Sequence, residues 1–317
     1  MIEVKSKYGC VRVLADSISK IGVRMTSFEW EFHRWILAEV NTHNAISKNL
    51  QSSRAVPLPK AIEMIKNNPA LPVHWGKNQS GMMSKEELTG EALNTCKSIW
   101  DAHREMSIDM VEDLAELGAH KQWAARLLEA HIMTKGVFSG TDWKNLMFLR
   151  DDEEAQPEFQ DLALATRLAF EQSTPELLQA GEWHVPYVTT VRGLGDDVNK
   201  RRYLDADGGE IDVETAKKIS ASCCAQVSYR RLNDAPEKAM EIYDKLFSGR
   251  KPHMSPVEHQ ATPAADTDKY LTFNVGNLPH TWERGITHID REGKFHSGNL
   301  TEWVQYRQTL PNNVQPG

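Results

Sequence analysis

Phe28–Val40, FEWEFHRWILAEV, runs directly into Asn41–Pro57, NTHNAISKNLQSSRAVP, and the reading of this junction decides the fold. The first half is an apolar, aromatic run long enough for a buried strand or helix. The second half packs one imidazole (His43), two amides (Asn44, Asn49), four hydroxyls (Thr42, Ser47, Ser52, Ser53) and one guanidinium (Arg54) into little more than a dozen residues. A polar cluster directly after a buried element is how a rigid scaffold presents binding groups. Ser and Arg two residues apart, with backbone N–H groups nearby, suit phosphate or another anion. A surface loop with helix-capping serines accounts for the same composition, so the rest of the chain has to choose.

Working outward, residues 1–24 alternate loosely (VRVLADSISKIGVRM), as a short strand or two would. Ala61–Lys66 reads as a short helix before a Pro-rich turn region. From Ser84 to Leu117 the pattern is helical: Ser84 and Glu87 form a capping box, and Leu93, Cys96, Ile99, Trp100, Met106, Met110, Val111 and Leu114 recur at three- and four-residue spacing, as a core-packing stripe. Gly118 is a natural stop. A second helix is expected over His120–Ala130 with Trp123, Leu127 and Leu128 on its apolar side. A third, capped by Thr141 or Asp142, covers Trp143–Leu149 and delivers Arg150 near its end. A fourth follows the DDEE break, with Pro157 in its first turn. DADGGEID is a turn, since Glu210 sits where a calcium loop needs Gly. VETAKKISASCCAQVSYRR passes from helix to strand, PEKAMEIYDKLFSG is a helix ended by Gly249, and HMSPVEHQATP (His253–Pro263) is the second concentrated polar motif. The tail GNLTEWVQYRQTLPN fits strand or helix. This mixture makes the fold class α/β, in the α+β sense of a mixed sheet with a separate helical region.

With 317 residues, 40% hydrophobic and 26% charged, the composition is that of an ordinary soluble globular protein. A net charge of −7 provides no global basic field. Nucleic acid is therefore not an expected partner, and an anionic substrate must be held by a local cluster of Arg. No apolar run approaches the ~18–20 residues needed to cross a bilayer, and MIEVKSKYGCVRVLADS lacks a signal peptide's apolar core. Cys10, Cys96, Cys223 and Cys224 show no CxxC spacing, so free thiols in a reducing cytoplasm are expected, without a membrane partner. His253, Glu258 and His259 lie close together, but HExxH is absent and no metal is expected. No cysteine has an adjacent His or Gly-rich elbow, and no Ser sits in GxSxG. Three arginines in motif-like settings remain: Arg54, Arg126 and Arg150.

These residues carry a resemblance. The spacing His43-Asn44-x-x-Ser47-x-Asn49-x-x-Ser52-x-Arg54 resembles the signature of the flavin-dependent thymidylate synthases (the ThyX family), RHR, seven residues, then Ser. Arg126–Glu158 is similar to that family's second block, an Arg and a small-residue turn before an Asn-containing helix ending in LR, then AQxE. His253–His259 (HMSPVEH) resembles its HxTPFEH motif and Ala225–Ser228 (AQVS) its ARVS motif. Together these cover about a third of the chain. In the family the last two motifs precede RHR; here they follow the helical region, as a circular permutation would place them. The resemblance implies one catalytic domain over 1–317, with 1–60 and 213–317 forming the sheet and flavin-site part and 84–175 the helical part. The C-terminal third is then expected to pack beside the first 60 residues.

Residue by residue, the resemblance implies that His43, Asn44, Asn49, Asn145, Ser228, His253, Ser255 and Glu258 contact FAD. Ser52, Ser53 and Arg54 match the loop holding the nucleotide phosphate, Arg126 a further nucleotide-binding Arg, and Glu39 a nucleotide-contacting Gln. Arg150 matches the Arg at the pyrimidine ring; with Ser52 it forms the implied catalytic pair. A guanidinium at a ring carbonyl stabilises an enolate developing at C5, and reduced flavin makes a cysteine nucleophile unnecessary. The implied activity is C5 methylation of a pyrimidine deoxynucleotide monophosphate, dUMP to dTMP, with NADPH and 5,10-methylenetetrahydrofolate as co-substrates and a homotetrameric assembly. The chain departs from the pattern where RHR reads Thr42-His43-Asn44, where a common His reads Glu154, and where NxR reads Ser139-Gly140-Thr141. Asn offers both donor and acceptor, so methylation or hydroxymethylation of dCMP is an alternative on the same scaffold. A flavin- or nucleotide-binding homologue without turnover is another. Residues 67–83 and 188–212 match nothing and are read as lids or insertions.

Overall fold

Alternation in CVRVLADSIS and RMTSFEWEFH produces two ten-residue strands, and the long hairpin they form is the centre of the computed structural model. The structure describes residues 2–193, 199–228, 234–249, 251–265 and 282–314. The first half of the chain gives β1 (Glu3–Lys5), β2 (Cys10–Ser19), β3 (Arg24–His33), α1 (Leu37–Asn41), β4 (Ser47–Leu50), α2 (Leu58–Asn67), α3 (Gly90–Glu116), α4 (Lys121–Ala124), β5 (Met133–Gly140) and α5 (Trp143–Arg150). Then come α6 (Pro157–Gln172), β6 (Glu176–Leu178), β7 (Thr189–Val191), β8 (Arg202–Leu204), β9 (Glu210–Ile211), α7 (Val213–Ala225) and α8 (Pro236–Phe247). The last part holds β10 (Ala261–Pro263), β11 (His288–Ile289), β12 (Phe295–Ser297), β13 (Leu300–Thr301), β14 (Trp303–Gln305) and α9 (Tyr306–Thr309).

The main sheet runs β1-β2-β3-β5-β4, antiparallel at each of these pairings, with β6 adding to β2 in parallel. The chain is therefore a mixed α/β protein built on antiparallel sheets. Because side chains alternate, Phe28, Trp30 and Phe32 of β3 share one face with Val11 of β2 and Phe138 of β5. That face buries against Ile36, Val40, Trp143, Leu146, Phe159, Leu162 and Ala169 of the α1, α5 and α6 region. Trp30 stacks on Phe138 with centroids 4.0 Å apart, and Phe28 meets Trp143 edge-on at 4.7 Å. A separate core joins α2, α3 and α4 through Leu58, Ile62, Ile65, Ile108, Val111, Ala124 and Leu128.

The opposite face of the sheet carries serines and carboxylates, and the C-terminal part of the chain covers it. In register across β3, β5 and β4 lie Ser27, Ser139 and Ser47. His184 bonds Ser17 Oγ through Nδ1 (2.9 Å) and Ser27 Oγ through Nε2 (2.8 Å). Ser27 and Ser139 hydroxyls meet at 2.5 Å, and His259 Nδ1 lies 2.9 Å from Ser139 Oγ. Ser47 Oγ donates to Asn299 Oδ1 and accepts from Gln305 Nε2. This seam, with Trp303 Nε1 on the Val23 carbonyl, ties His184, His259, Asn299, Trp303 and Gln305 to strands β2 to β5 and the residue before β3.

Several local expectations change. The FEWEFHRWILAEV run is neither one strand nor one helix: β3 ends at His33, a 3-10 turn covers Arg34–Ile36, and α1 follows. The helix expected from Ser84 begins at Gly90, because Ser84 Oγ is spent on the Lys77 and Glu86 carbonyls in a loop bridged at Gly76–Glu87. Its apolar stripe is not core throughout. Ser107, Ile108 and Val111 are buried, while Ile99, Met106 and Met110 are 64%, 47% and 48% exposed. The second helix is α4 plus a 3-10 turn, with Trp123 and Leu127 also exposed. The tail resolves into strand and then helix. Gly118 ends α3 at φ +78° as expected, and Asp205 closes the β8–β9 turn by accepting from the Asp207 and Gly209 amides. The AQVS segment is a 3-10 turn at the end of α7, and residues 229–233 of the expected strand lie outside the described residues, as do residues 194–197 of the Gly-rich stretch RGLGDD (192–197).

Candidate functional site

The edge strand β4 and its flanks organise the site. Before β4, His43 is buried and its Nε2 accepts a 2.9 Å hydrogen bond from Arg150 Nε. Arg150 Nη2 also reaches Thr42 Oγ1 at 3.4 Å, and its guanidinium lies 4.9 Å from the Phe159 ring. His43 meets the same ring edge-on at 5.5 Å. Burial, with Arg150 and Lys48 adding to it, pushes the His43 pKa down to about 4. The imidazole is therefore neutral, carries its proton on Nδ1 and serves as an acceptor for the guanidinium. Glu39, one turn earlier in α1, keeps a buried Oε2 without a hydrogen-bond partner among the described residues.

Within β4, alternation sends Ser47 and Asn49 toward the C-terminal layer. Asn49 Nδ2 donates to the Cys224 carbonyl at 2.6 Å, and its Oδ1 accepts from Ser255 Oγ at 3.0 Å. Ser255 Oγ also lies 3.2 Å from Nε2 of the exposed His253. Glu258 forms an ion pair with Arg307, and its backbone carbonyl accepts from Gln305. Lys48 is held below its ordinary pKa by burial, with the Glu258 carboxylate opposing the shift.

After β4, Ser52–Ala55 form a tight turn (Ala55 N–H to the Ser52 carbonyl, 2.9 Å), and Lys121 of α4 clamps the Ala55 carbonyl at 3.1 Å. Ser53 lines a small pocket with Arg34, Gln51, Ala125, Glu129 and Thr134, and its buried Oγ has no hydrogen-bond partner among the described residues. Arg34 Nη1 donates to the Gln51 carbonyl at 2.9 Å, and Glu129 bridges Arg34 (3.7 Å) and Arg126 (2.6 Å).

Chemically, the arrangement offers a guanidinium fixed by an imidazole at one end and an anion-suited turn with an open hydroxyl and two nearby arginines at the other. The structure brings together His43 with Arg150, Asn49 with Ser255 and His253, and Ser53 with the Arg34–Glu129–Arg126 group. The side-chain amides of Asn44 and Asn145 have no hydrogen-bond partner among the described residues, and both residues are exposed. Arg54 is exposed too, and Ser52 has its own partner. Ser228 lies in the 3-10 turn Gln226–Ser228. Asn49 and Glu258, expected as flavin contacts, have their polar atoms engaged by protein partners. Arg34, Arg307 and His184 are contributors that motif spacing did not pick out, and His259, the last residue of the HMSPVEH motif, was given no role there. The signal for Arg34 was an Arg inside an otherwise aromatic run, and that for His184 was the GEWHVPY cluster. Among the described residues, no group of three or more His, Cys, Asp or Glu is placed to hold a metal ion.

No family model matches this chain, and no curated protein matches it. No helix among the described residues is long and apolar enough to cross a membrane.

Proposed function

We propose that this protein is a flavin-dependent C5 methylase of a pyrimidine deoxynucleotide monophosphate, of the ThyX type with permuted motif order, acting on dUMP. The observation that carries the reading is the convergence on β4 of motifs from three distant parts of the chain. Thr42–Arg54, Arg150 and His253–Glu258 meet there by direct hydrogen bonds.

FAD would be held by the exposed Asn44 and Asn145 amides and the exposed His253 imidazole, whose Nε2 lies 3.2 Å from Ser255 Oγ, while Asn49 fixes Ser255. When bound and reduced by NADPH, it supplies the hydride that completes the methyl group brought as the methylene of a folate. The chain's own part is positional. The Ser53 hydroxyl, the backbone of the Ser52–Ala55 turn, Arg34 and Arg54 are suited to the nucleotide phosphate, with Arg126 moving from Glu129 to the anion. Arg150, held through Nε by His43 and through Nη2 by Thr42, has Nη1 left to donate to a pyrimidine carbonyl and to stabilise enolate charge as C5 becomes nucleophilic. In the homotetramer that this reading implies, Met106 and Met110, exposed one turn apart on α3, are apolar residues that an interface would cover.

Two measurements test the reading. Purified protein, reconstituted with FAD, is expected to be yellow and to bleach with NADPH; a colourless protein that takes up no flavin overturns it. With methylenetetrahydrofolate and NADPH, dUMP is expected to gain the mass of one methyl group. Turnover of dCMP alone moves the assignment to cytosine.

A further inference from the structure

At the N-terminal end of α5, opposite the end that carries Arg150, lies a cleft of about 1010 Å³. Seven helical steps separate the two ends, about 10 Å along the axis. Ile18, Ile21, Val23 and Phe170 supply apolar lining; Asp142, Lys144 and the Asp290–Lys294 turn supply polar lining. Glu302 also lines the cleft and is only 6% exposed.

Three observations set Glu302 apart. Its backbone is left-handed (φ 59°), a conformation that costs a non-glycine residue energy and is kept where surrounding structure imposes it. Its Oε1 accepts only from the Phe295 amide at 3.2 Å, and its buried Oε2 has no partner among the described residues. Burial raises its pKa. A buried carboxylate with one oxygen unsatisfied costs free energy that a ligand donor would recover. Of the other anions lining the cleft, Asp290 holds the Glu292 and Lys294 amides and His296, Glu292 pairs with Lys294, and Asp142 is exposed with no ion pair among the described residues. Arg24 is bound to Asp16 and lies 3.6 Å from the Phe170 ring. Lys144 and Arg291, both exposed, make no ion pair among the described residues.

We propose that this cleft binds a planar ring presenting two adjacent N–H donors to the Glu302 carboxylate and carrying an anionic tail toward Lys144 and Arg291. The 2-amino-4-oxopyrimidine edge, common to guanine and the pterins, is such a donor pair. A carboxylate receives it through two parallel hydrogen bonds, one at each oxygen, while the ring lies along the aliphatic wall of Ile18, Ile21 and Val23. The cleft is large enough for a bicyclic ring with its tail, far larger than the few hundred Å³ at which ligand pockets begin. This site is independent of the methylation reading, because none of its residues contacts the His43–Arg150 centre.

Calorimetry on the full chain, without flavin or pyrimidine nucleotide, tests it with folic acid, GMP and their tail-less counterparts pterin and guanosine. At least one tailed probe is expected to bind saturably at micromolar concentration. Glu302→Gln keeps an acceptor for the Phe295 amide but replaces the open oxygen with a donor; it is expected to weaken that probe about tenfold or more. The pair Lys144→Ala and Arg291→Ala is expected to weaken the tailed probe and leave the tail-less one unchanged. Preference between folic acid and GMP identifies the ring. No saturable binding of either up to about 1 mM, or equal affinity in E302Q protein of unchanged melting temperature, overturns the proposal. Loss of methylase activity with intact binding here would count against the methylation reading alone.

Discussion

Arg150 is held on three sides: His43 Nε2 takes its Nε proton, Thr42 approaches Nη2, and Phe159 lies under the guanidinium plane. A lysine at this position can satisfy one of these partners but has no planar group to keep in register. If Arg150 works at the pyrimidine ring, Arg150→Ala and Arg150→Lys should each lower kcat/KM by about a hundredfold or more, an effect of about 3 kcal/mol. FAD affinity should shift by less than about threefold. Steady-state kinetics beside flavin titration decides this; equal losses in both would move Arg150 to a structural role. The fixed guanidinium was not readable from spacing. THN at 42–44 and LR at 149–150 are about a hundred residues apart in the chain, and their pairing exists only because α5 packs on the same sheet face as α1. Nor does a sequence show that an amide or carboxylate is consumed internally, as Asn49 and Glu258 are.

Among the elements, α3 is where the apolar pattern of the sequence and the packing of the fold differ most. Three- and four-residue spacing correctly marks a helix with an apolar side, but spacing cannot say what covers that side. Within one chain α2 and the α4 region cover only the part around Ile108 and Val111. Met106 and Met110 lie one turn apart on the remaining surface. The double change Met106→Glu, Met110→Glu is expected to shift the protein to a smaller species by light scattering, with helicity and monomer melting little changed. An unaltered oligomer would mean that this surface is not an interface. Conversely, the helix start was misplaced because the Ser84–Glu87 capping box competes with a long loop, where the Lys77 carbonyl claims the Ser84 hydroxyl. Local capping signals lose to tertiary hydrogen bonds of similar strength.

For the whole molecule, the buried polar seam between sheet and C-terminal layer sets the response to acid. His184 and His259 are fully buried, and desolvation pushes both pKa values down to about 3; His43 and His131 sit near 4 for the same reason. Each is neutral when folded and protonates near pH 6.5 when unfolded. Above pH 6.5 neither state binds a proton and no penalty arises. Between 6.5 and the folded values the unfolded chain binds more protons, so stability falls as pH falls, by up to about 1.4 kcal/mol per pH unit for each imidazole. Urea midpoints are therefore expected to drop steeply from pH 6.5 to 5. His184→Gln is expected to lower stability at pH 7.5 yet flatten that slope, and an unchanged slope would remove His184 from the account.

The sequence by itself determined what local chemistry determines. Period-2 alternation marked strands, period-3.6 stripes marked helices, Gly118 and the DADGG turn marked ends, and the composition of Asn41–Pro57 marked a concentration of anion-suited donors. Tertiary structure alone decided which of those donors remain available. It placed β4 at the sheet edge, spent Asn49 on Ser255 and Cys224, turned His43 into the support for Arg150, left Ser53 and Glu302 each with a buried oxygen open, and brought Ser27, Ser139, His184 and His259 into one seam. Each of these outcomes depends on contacts between residues far apart in the chain. Periodicity and motif spacing report only on neighbours along it.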